Sequence, residues 1–263
     1  MIFHPNELPI TLKQKKFVRS LRMKKYREDS GCFFAEGRKC IEELHTGYDS
    51  DWLLVREDAP ALEGFRSITR VTSKEMQDLS VLTTPTDYIA VFDMRVAYRA
   101  EEEDASLIVA LDGIQDPGNM GTILRTCDWM GVRHVVCSPQ TVDYYSPKVV
   151  QASMGALAHV QVSYEDLAPY LHTMREQGYR IYGTLLDGNN IYTDSSIAQT
   201  QKAIIVMGNE GNGLTDTVCE QLTDRLTIPS FSRNHVESLN VSIATAIVLS
   251  EFRRTNTPQT PSL

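Results

Sequence analysis

The sequence predicts an α/β fold in which a C-terminal parallel-sheet domain follows a small α/β domain. In the C-terminal part, continuous apolar runs such as Leu107–Leu111 alternate with helical patterns. This alternation is typical of a parallel sheet covered by helices on both faces. The acidic stretch Arg99–Asp104 has no apolar period and indicates a linker. We predict a small α/β domain over residues 1–97, a linker over 98–106, the larger domain over 107–254 and a disordered tail over 255–263.

The elements of the small domain follow from its apolar runs and its helix signals. A basic helical stretch leads into a short apolar strand, and Gly47 ends the next helix. Ser73, with Glu75 close behind it, marks the start of a further helix. The predicted helices are Lys13–Arg27, Arg38–His45 and one from Ser73, and the predicted strands are Cys32–Ala35, Trp52–Val55 and Tyr88–Met94.

The larger domain is predicted from apolar strands separated by amphipathic helices. Its predicted strands are Leu107–Leu111, Val135–Cys137, Arg180–Leu186, Ala203–Met207 and Leu226–Ile228, and its predicted helices are Thr122–Met130, Pro147–Leu157, Leu167–Gln177 and Ser238–Arg253. In such a sheet, ligands bind in the crevice beyond the carboxyl ends of the strands. The loops that directly follow these strands are therefore the candidate functional site.

Composition narrows the class of protein. An apolar share of 42% with 23% charged residues is typical of soluble globular proteins with a real core. The five cysteines are scattered, with no Cys-x-x-Cys pair, so we expect free thiols rather than a disulfide framework or a structural zinc site. No apolar run is long enough to span a bilayer, and the N-terminal residues lack a secretory pattern. We therefore expect a cytoplasmic protein with no membrane partner.

Basic residues are concentrated near the N-terminus although the chain carries a net charge of −8. Residues 1–30 contain eight basic and three acidic side chains, which is a local excess of five positive charges. A polyanion responds to such local distribution rather than to net charge. A solvated helix face is the alternative interpretation. The predicted RNA-contacting side chains are Lys13, Lys15, Lys16, Arg19, Arg22, Lys24 and Lys25.

Three loops that follow predicted strands carry unusual residues. Asp112–Gly121 runs into a helix that bears Arg125, and its glycines suit an anion at a helix N-terminus. Met207–Leu214 has three glycines in six residues and encloses Glu210, but it matches neither the P-loop nor the dinucleotide pattern. Ile228–Ser242 is a polar run at the start of the last helix. Helix capping, including a cap by Asn119, is the structural alternative for the polar residues.

Together these loops closely resemble the three motifs of the SpoU (TrmH) family. The members of that family are RNA ribose 2′-O-methyltransferases of the SPOUT superfamily. The matching residues, in order along residues 107–254, are Asn119, Gly121 and Arg125, then Gly208, Glu210, Gly213 and Leu214, then Ile228, Pro229 and Ser238–Ser242. The N-terminal part resembles the small RNA-binding domain of many members, most clearly at Phe34–Lys39. The third motif is about two residues longer than usual, so Arg233, Asn234 and His235 have no firm counterparts.

The resemblance implies a deep trefoil knot, a homodimer, and S-adenosylmethionine as the cofactor, with S-adenosylhomocysteine as its product. By position, the cofactor-binding residues would be Thr184, Gly208, Ile228 and Leu239. The residues linked to substrate and catalysis would be Asn119, Arg125, Glu210, Ser238 and Asn240. No metal is expected.

The chemistry of methyl transfer suits these residue types. The enzyme must align the oxygen, the methyl group and the sulfur, and it must assist loss of the hydroxyl proton. A guanidinium is a reluctant proton acceptor, so Arg125 is better suited to stabilise the developing oxyanion and the adjacent phosphate. Whether Arg125 or that phosphate takes the proton stays open.

Several functions remain in view at this point. Methylation of ribosomal RNA is preferred, because a separate N-terminal domain suits a large structured RNA, and transfer RNA is the alternative substrate. The other hypotheses are a catalytically inactive RNA-binding protein with the same fold, an unrelated nucleotide-binding α/β enzyme, and a soluble α/β domain of unknown purpose. The modified nucleotide lies beyond sequence inference, because RNA shape decides it.

Overall fold

The computed structural model describes residues 7–95, 106–232 and 238–254, and these divide into two compact units. The first unit contains residues 7–95 together with 143–159, and the second contains 106–142 and 160–254 within the described ranges. The sequence does not indicate that the segment 143–159 joins the first unit. Most of the predicted linker, the tail, and Arg233, Asn234 and His235 lie outside the described residues.

The first unit is built on a five-stranded mixed sheet with the strand order β1-β4-β3-β5-β2. Its elements up to residue 95 are β1 (Glu7–Pro9), α1 (Leu12–Ser20), α2 (Lys24–Ser30), β2 (Cys32–Glu36), α3 (Arg38–Leu44), β3 (Trp52–Arg56), β4 (Ser67–Val71), α4 (Ser73–Leu79) and β5 (Tyr88–Asp93). The predicted strands and later helices are present, and β1 and β4 are additional. β4 contains the polar residues Ser67, Thr69 and Arg70 among its five, so it lacks the apolar run that identifies its neighbours.

The single helix predicted over Lys13–Arg27 is wrong, because it is two helices separated at Leu21. Thr11 begins α1 with a capping box, and Leu21 ends it as a fully buried residue. Met23 is extended, so α2 starts in a new direction. The carbonyl of Leu21 accepts a hydrogen bond at 2.8 Å from the guanidinium of Arg27, which stabilises this break.

The stretch Phe34–Lys39 has a structural role in the first unit. Glu36 is buried, and it accepts hydrogen bonds from the hydroxyl of Ser80 and, at 2.7 Å, from the backbone N–H of Val81. Burial raises the pKa of Glu36, an effect opposed by these hydrogen bonds. The carboxylate therefore holds the turn after α4 against β2.

The second unit is a six-stranded, wholly parallel sheet, as predicted, with the order β11-β9-β10-β6-β7-β8. In chain order the elements are β6 (Leu107–Asp112), α5 (Pro117–Trp129), β7 (His134–Cys137), then α6 (Pro147–Ser153) of the first unit, then β8 (Gln161–Tyr164), α7 (Leu167–Glu176), β9 (Arg180–Asn190), α8 (Ser196–Gln199), β10 (Ala203–Gly208), α9 (Asp216–Cys219), β11 (Asp224–Thr227) and α10 (Val241–Arg254). The strand β8 and the helices α8 and α9 are short, and the sequence analysis does not predict them.

The segment 143–159 packs closely within the first unit. Arg27 forms a buried ion pair with Asp143, and the hydroxyl of Tyr145 donates to that of Tyr48 at 3.3 Å. A short 3-10 helix, Ala156–Ala158, follows α6. A Cβ atom added to Gly47 would lie 2.5 Å from the carbonyl oxygen of Ala158, so only glycine allows this approach.

Two helix starts in the second unit differ from the prediction. α5 begins at Pro117 with Asp116 as its N-cap, whose carboxylate accepts the N–H of Asn119 at 2.8 Å. Asn119 is therefore inside the helix and is not its cap, and Gly118 and Gly121 do not form an open anion loop there. α10 begins at Val241, so Ser238 precedes it.

The described part of the chain has no helix long and apolar enough to cross a membrane. All five cysteines are free. Burial raises the pKa of Cys40 and of Cys137 to about 12 and raises the pKa of Cys127 as well, so these thiols are protonated and inert at neutral pH.

Candidate active site

The candidate site lies where the carboxyl ends of the central strands meet. β10 and β6 are parallel neighbours in register, with Gly208 opposite Asp112. From β6 the chain builds the sheet outward through β7 and β8, whereas β9 and β11 lie on the other side of β10. The order of the strands therefore reverses between β6 and β10, which is the position where ligands bind in parallel α/β sheets.

The loop after β10 is a tight closed turn. The backbones of Asn209 and Gly213 exchange two hydrogen bonds of 2.9 Å. A Cβ atom on Gly208 would lie 2.4 Å from the carbonyl carbon of Gly213 and 2.6 Å from the backbone nitrogen of Leu214. Any larger residue at position 208 would thus open the loop, which explains the glycine physically.

Two side chains that sequence reasoning did not single out hold this loop to the end of β6. The amide of Asn209 donates to the carbonyl of Gly113 at 2.6 Å. Asp112 is buried and accepts from the backbone N–H and the hydroxyl of Thr215 at 2.7 and 2.9 Å. A carboxylate directly after a fully apolar strand was the available signal for Asp112, because buried carboxylates need partners.

Three of the predicted catalytic side chains form one hydrogen-bonded chain. The amide nitrogen of Asn119 donates to Oε1 of Glu210 at 2.7 Å, and its oxygen accepts from the amide nitrogen of Asn240 at 2.9 Å. The oxygen of Asn240 accepts from the N–H and the hydroxyl of Ser242 at 2.9 and 2.6 Å, so Asn240 also begins α10. The network joins the first turn of α5, the loop after β10 and the start of α10.

Arg125 and Ser238 do not join this network. Arg125 is exposed on α5 and makes no hydrogen bond or ion pair with any residue in the described ranges. It lies on a solvent-facing stripe with Thr122 and Trp129. Ser238 is exposed two residues before Asn240. A cation without an internal partner is free to contact an anionic ligand.

The four predicted cofactor residues lie at the same edge of the sheet. The hydroxyl of Thr184 on β9 donates to the carbonyl of Val206 at 3.3 Å, and Val206 lies two residues before Gly208, the last residue of β10. Ile228 directly follows β11, and Leu239 precedes Asn240.

This edge offers a nucleoside the groups that it needs. Leu239 is 50% exposed, and Leu186 on β9 is 82% exposed, so both apolar side chains are available to a ligand. Backbone polar groups beside apolar side chains suit an adenosine-containing cofactor such as S-adenosylmethionine. Within the described ranges there is no group of His, Cys, Asp and Glu that could hold a metal ion.

The seven basic residues of the N-terminal segment differ in their surroundings. Lys15 forms an ion pair of 2.6 Å with Glu75, and Arg22 donates to three backbone carbonyls at the end of α4, each at 3.0 Å. Weaker, exposed pairs join Arg19 to Asp78 at 3.6 Å and Lys24 to Glu28 at 3.7 Å. The remaining three, Lys13, Lys16 and Lys25, are exposed and have no ion pair among the described residues.

Both parts of the chain match models of known protein families. Residues 106–250 match the SpoU rRNA Methylase family, and residues 13–90 match the MRM3-like substrate binding domain. The 23S rRNA (guanosine(2553)-2′-O)-methyltransferase RlmP of Bacillus subtilis (strain 168) is 29% identical over 241 residues, which are 89% of this chain and 94% of that protein.

Two solved structures superpose on nearly the whole of this chain. A proposed RNA methyltransferase of the TrmH family from Porphyromonas gingivalis superposes with a TM-score of 0.82 at 42% identity, covering 94% of this chain and 99% of that one. An AdoMet-bound rRNA methyltransferase from Sinorhizobium meliloti superposes with a TM-score of 0.80 at 28% identity, covering 94% and 97%.

Proposed function

This chain belongs to the SpoU rRNA methylase family, and we propose that it transfers a methyl group from S-adenosylmethionine to a ribose 2′-hydroxyl of ribosomal RNA. The observation that carries this proposal is the closed glycine loop after β10, joined through Glu210 and Asn119 to the start of α10. The full-length similarity to an rRNA 2′-O-methyltransferase supports the choice of substrate. We propose that the protein acts on this substrate in the cytoplasm. Transfer RNA is the second candidate.

The cofactor supplies an electrophilic methyl group on a sulfonium. In our proposal the backbones of Gly208, Ile228 and Leu239 bind it, and Thr184 lines the pocket. Asp112 and Asn209 keep the glycine loop closed, so the binding groups are arranged before the cofactor arrives. Such preorganisation reduces the entropy lost on binding.

Other residues of this chain act on the ribose. The 2′-hydroxyl must lose its proton, to the neighbouring phosphate or to Arg125, as its oxygen accepts the methyl group, so negative charge develops on that oxygen. Arg125 stabilises that charge and the neighbouring phosphate, because its guanidinium has no internal partner among the described residues. The side chains of Glu210, Asn119 and Asn240 hold the three loops in register, and the exposed hydroxyl of Ser238 contacts the substrate.

We also propose that the protein is a homodimer with the trefoil knot of its family. α5 and α10 run side by side and parallel, because Asn119 meets Asn240 at one end and Arg253 donates to the carbonyl of Met130 at the other, at 2.7 Å. Their outward faces expose Trp129 by 87% and Ile243 by 51%. A tryptophan left in water on a helix pair supports an interface with a second copy.

The experiment that tests the function uses a matched pair of glycine variants. Calorimetry in the presence of a chelator should detect S-adenosylmethionine binding to the wild-type chain. Gly208→Ala should abolish it, because the added methyl group would meet loop backbone at 2.4 Å. Gly211→Ala should preserve it, since its nearest contact is 3.5 Å away and its φ is not positive.

Mass-spectrometric mapping of ribose methylation in cellular RNA, with and without the gene, identifies the substrate. A missing methyl group in ribosomal RNA is expected. A methyl group missing from transfer RNA instead would identify transfer RNA as the substrate. Binding of cofactor and RNA with no methylated site would show an inactive RNA-binding protein.

A further inference from the structure

A groove of about 460 Å³ opens on the surface of the first unit between α1 and α2. It is lined mainly by Lys13, Lys16, Phe17, Arg19, Met23 and Tyr26. Its volume lies within the range of about 300–1,000 Å³ that is usual for ligand sites. The break between the two helices at Leu21 creates the groove, so a single continuous helix would not have formed it.

The floor of the groove is aromatic and held in place from behind. Phe17 stacks on Trp52 with ring centroids 6.3 Å apart and planes 21° from parallel. The indole nitrogen of Trp52 donates to the hydroxyl of Thr69 at 2.9 Å, which fixes that ring. Tyr26 is 45% exposed and Met23 is 59% exposed at the wall. Apolar and aromatic surface of this kind is unfavourable in water when nothing covers it.

The rim of the groove is positive. Lys13 and Lys16 lie one helical turn apart on α1, are exposed, and have no ion pair among the described residues. Arg19 donates to the backbone carbonyl of Asp78 at 3.4 Å and has an exposed ion pair with the Asp78 carboxylate at 3.6 Å. By contrast, Lys15 points away and is neutralised by Glu75. Lys13 and Lys16, two of the three lysines of the N-terminal segment that have no ion pair among the described residues, therefore border the aromatic floor.

We infer that this groove binds an unpaired nucleotide of the RNA substrate, with its base stacked on Tyr26 and its phosphates held by Lys13 and Lys16. The inference deepens the proposed function, because it takes RNA as the substrate and adds which RNA conformation the first unit selects. A paired A-form helix presents phosphates and 2′-hydroxyls but no free base faces, whereas loops and bulges expose them. An aromatic floor below a cationic rim fits the second kind of RNA.

The test is equilibrium binding of the full chain to a twelve-residue oligouridine, followed by fluorescence anisotropy. Tyr26→Ala should weaken binding roughly ten- to a hundredfold, as loss of one base–aromatic stack does. Tyr26→Phe should bind like the wild type, and Tyr26→Leu should be nearly as weak as Tyr26→Ala. An RNA duplex of the same length should bind more weakly and should not respond to these changes. Equal binding of oligouridine by all four proteins would overturn the inference.

Charge variants test the rim separately. The double variant Lys13→Gln with Lys16→Gln should make the negative slope of log K against log salt shallower by about 1.4, which is about 0.7 for each phosphate contact to a single strand. Lys74→Gln on α4 is the matched control, since Lys74 is exposed but does not line the groove. An unchanged slope in the double variant would assign these lysines to a solvated face.

Failure of the groove and failure of the proposed function are distinguishable. Oligouridine binding needs no cofactor, and cofactor calorimetry needs no RNA. If the wild-type chain does not bind S-adenosylmethionine, the methyltransferase proposal is overturned, and the oligouridine result still tests the groove. If the chain binds the cofactor but the Tyr26 variants bind oligouridine like the wild type, only the groove inference is overturned. Thermal melting tests whether each variant is folded, which is expected because the Tyr26 side chain is 45% exposed.

Discussion

Asn119 shows how one side chain can organise a site drawn from distant parts of a chain. An amide has both donors and an acceptor, so Asn119 can donate to Glu210 and accept from Asn240 at once. An ionised carboxylate at this position could accept from Asn240 but could not donate to Glu210. These partners lie 91 and 121 residues away, so no local pattern reveals the contacts. The resemblance to known motifs identified the residue, whereas its structural role required the fold.

Removal of the Arg125 side chain should slow methyl transfer without weakening cofactor binding. Arg125→Ala should reduce single-turnover methylation by about two to three orders of magnitude, as does loss of one oxyanion donor. Cofactor affinity should be nearly unchanged, because the proposed cofactor contacts come from the middle of β9, the ends of β10 and β11, and the residues just before α10. Arg125→Lys should restore only part of the rate, since the ammonium keeps the charge but loses the planar fork.

The control for Arg125 is another exposed arginine of the second unit, Arg175 on α7. Arg175→Ala should leave both the rate and cofactor affinity unchanged. Methylation and cofactor titration are measured on the same preparations with a mapped RNA target. Full activity of Arg125→Ala would remove Arg125 from the mechanism, and equal losses of rate and affinity would make it a structural residue.

Helices and strands were predictable from sequence where their periodicity was strong. The apolar strands of the second unit and its helices α7 and α10 follow the predicted pattern within a few residues. The failures have local causes. β1, β4 and β8 are short and have few apolar residues, so their pairing partners rather than their own composition make them strands. The start of α5 was missed because Asp116 and Pro117 form a cap and first turn ahead of two glycines.

The ion pair between Arg27 and Asp143 connects two elements that sequence analysis assigned to different domains. Both side chains are largely buried, at 3% and 16% exposure. Arg27→Met should lower the free energy of unfolding of the first unit by about 3–5 kcal/mol, because the carboxylate of Asp143 would be left without its partner. Replacing both residues, as Arg27→Met with Asp143→Leu, should recover part of the loss, since an apolar pair avoids the desolvation cost.

Tryptophan fluorescence measures this effect in urea. The chain has two tryptophans, so in a Trp129→Phe background Trp52 reports the first unit alone. The exposed pair between Arg38 and Glu42 is the control, and Arg38→Met should cost no more than about 1 kcal/mol. A loss for Arg27→Met as small as that of the control would mean that the buried pair contributes no more than an exposed one.

At the scale of the whole molecule, the division of the chain into its two units was harder to predict from the sequence than the fold class. The catalytic sheet and a separate N-terminal α/β unit follow from composition and periodicity. The transfer of residues 143–159 to the first unit does not, because it depends on Tyr48, Gly47 and Arg27 meeting residues about a hundred positions away. Likewise, the net charge of −8 conceals a cationic groove that only the arrangement of α1 and α2 reveals.

The proposed dimer can be tested through the outward faces of α5 and α10. In a twofold assembly each substitution acts twice, once from each copy. Trp129→Glu or Ile243→Glu should therefore raise the dimer dissociation constant by at least about a hundredfold, if each buried apolar side chain contributes roughly 1.4 kcal/mol per copy. Sedimentation equilibrium over a range of concentrations measures this constant. Leu12→Glu is the matched control, because Leu12 is 85% exposed but lies on α1 in the first unit. A wild-type chain that sediments as a monomer at every concentration would contradict the dimer, and dissociation by Leu12→Glu alone would move the interface to the first unit.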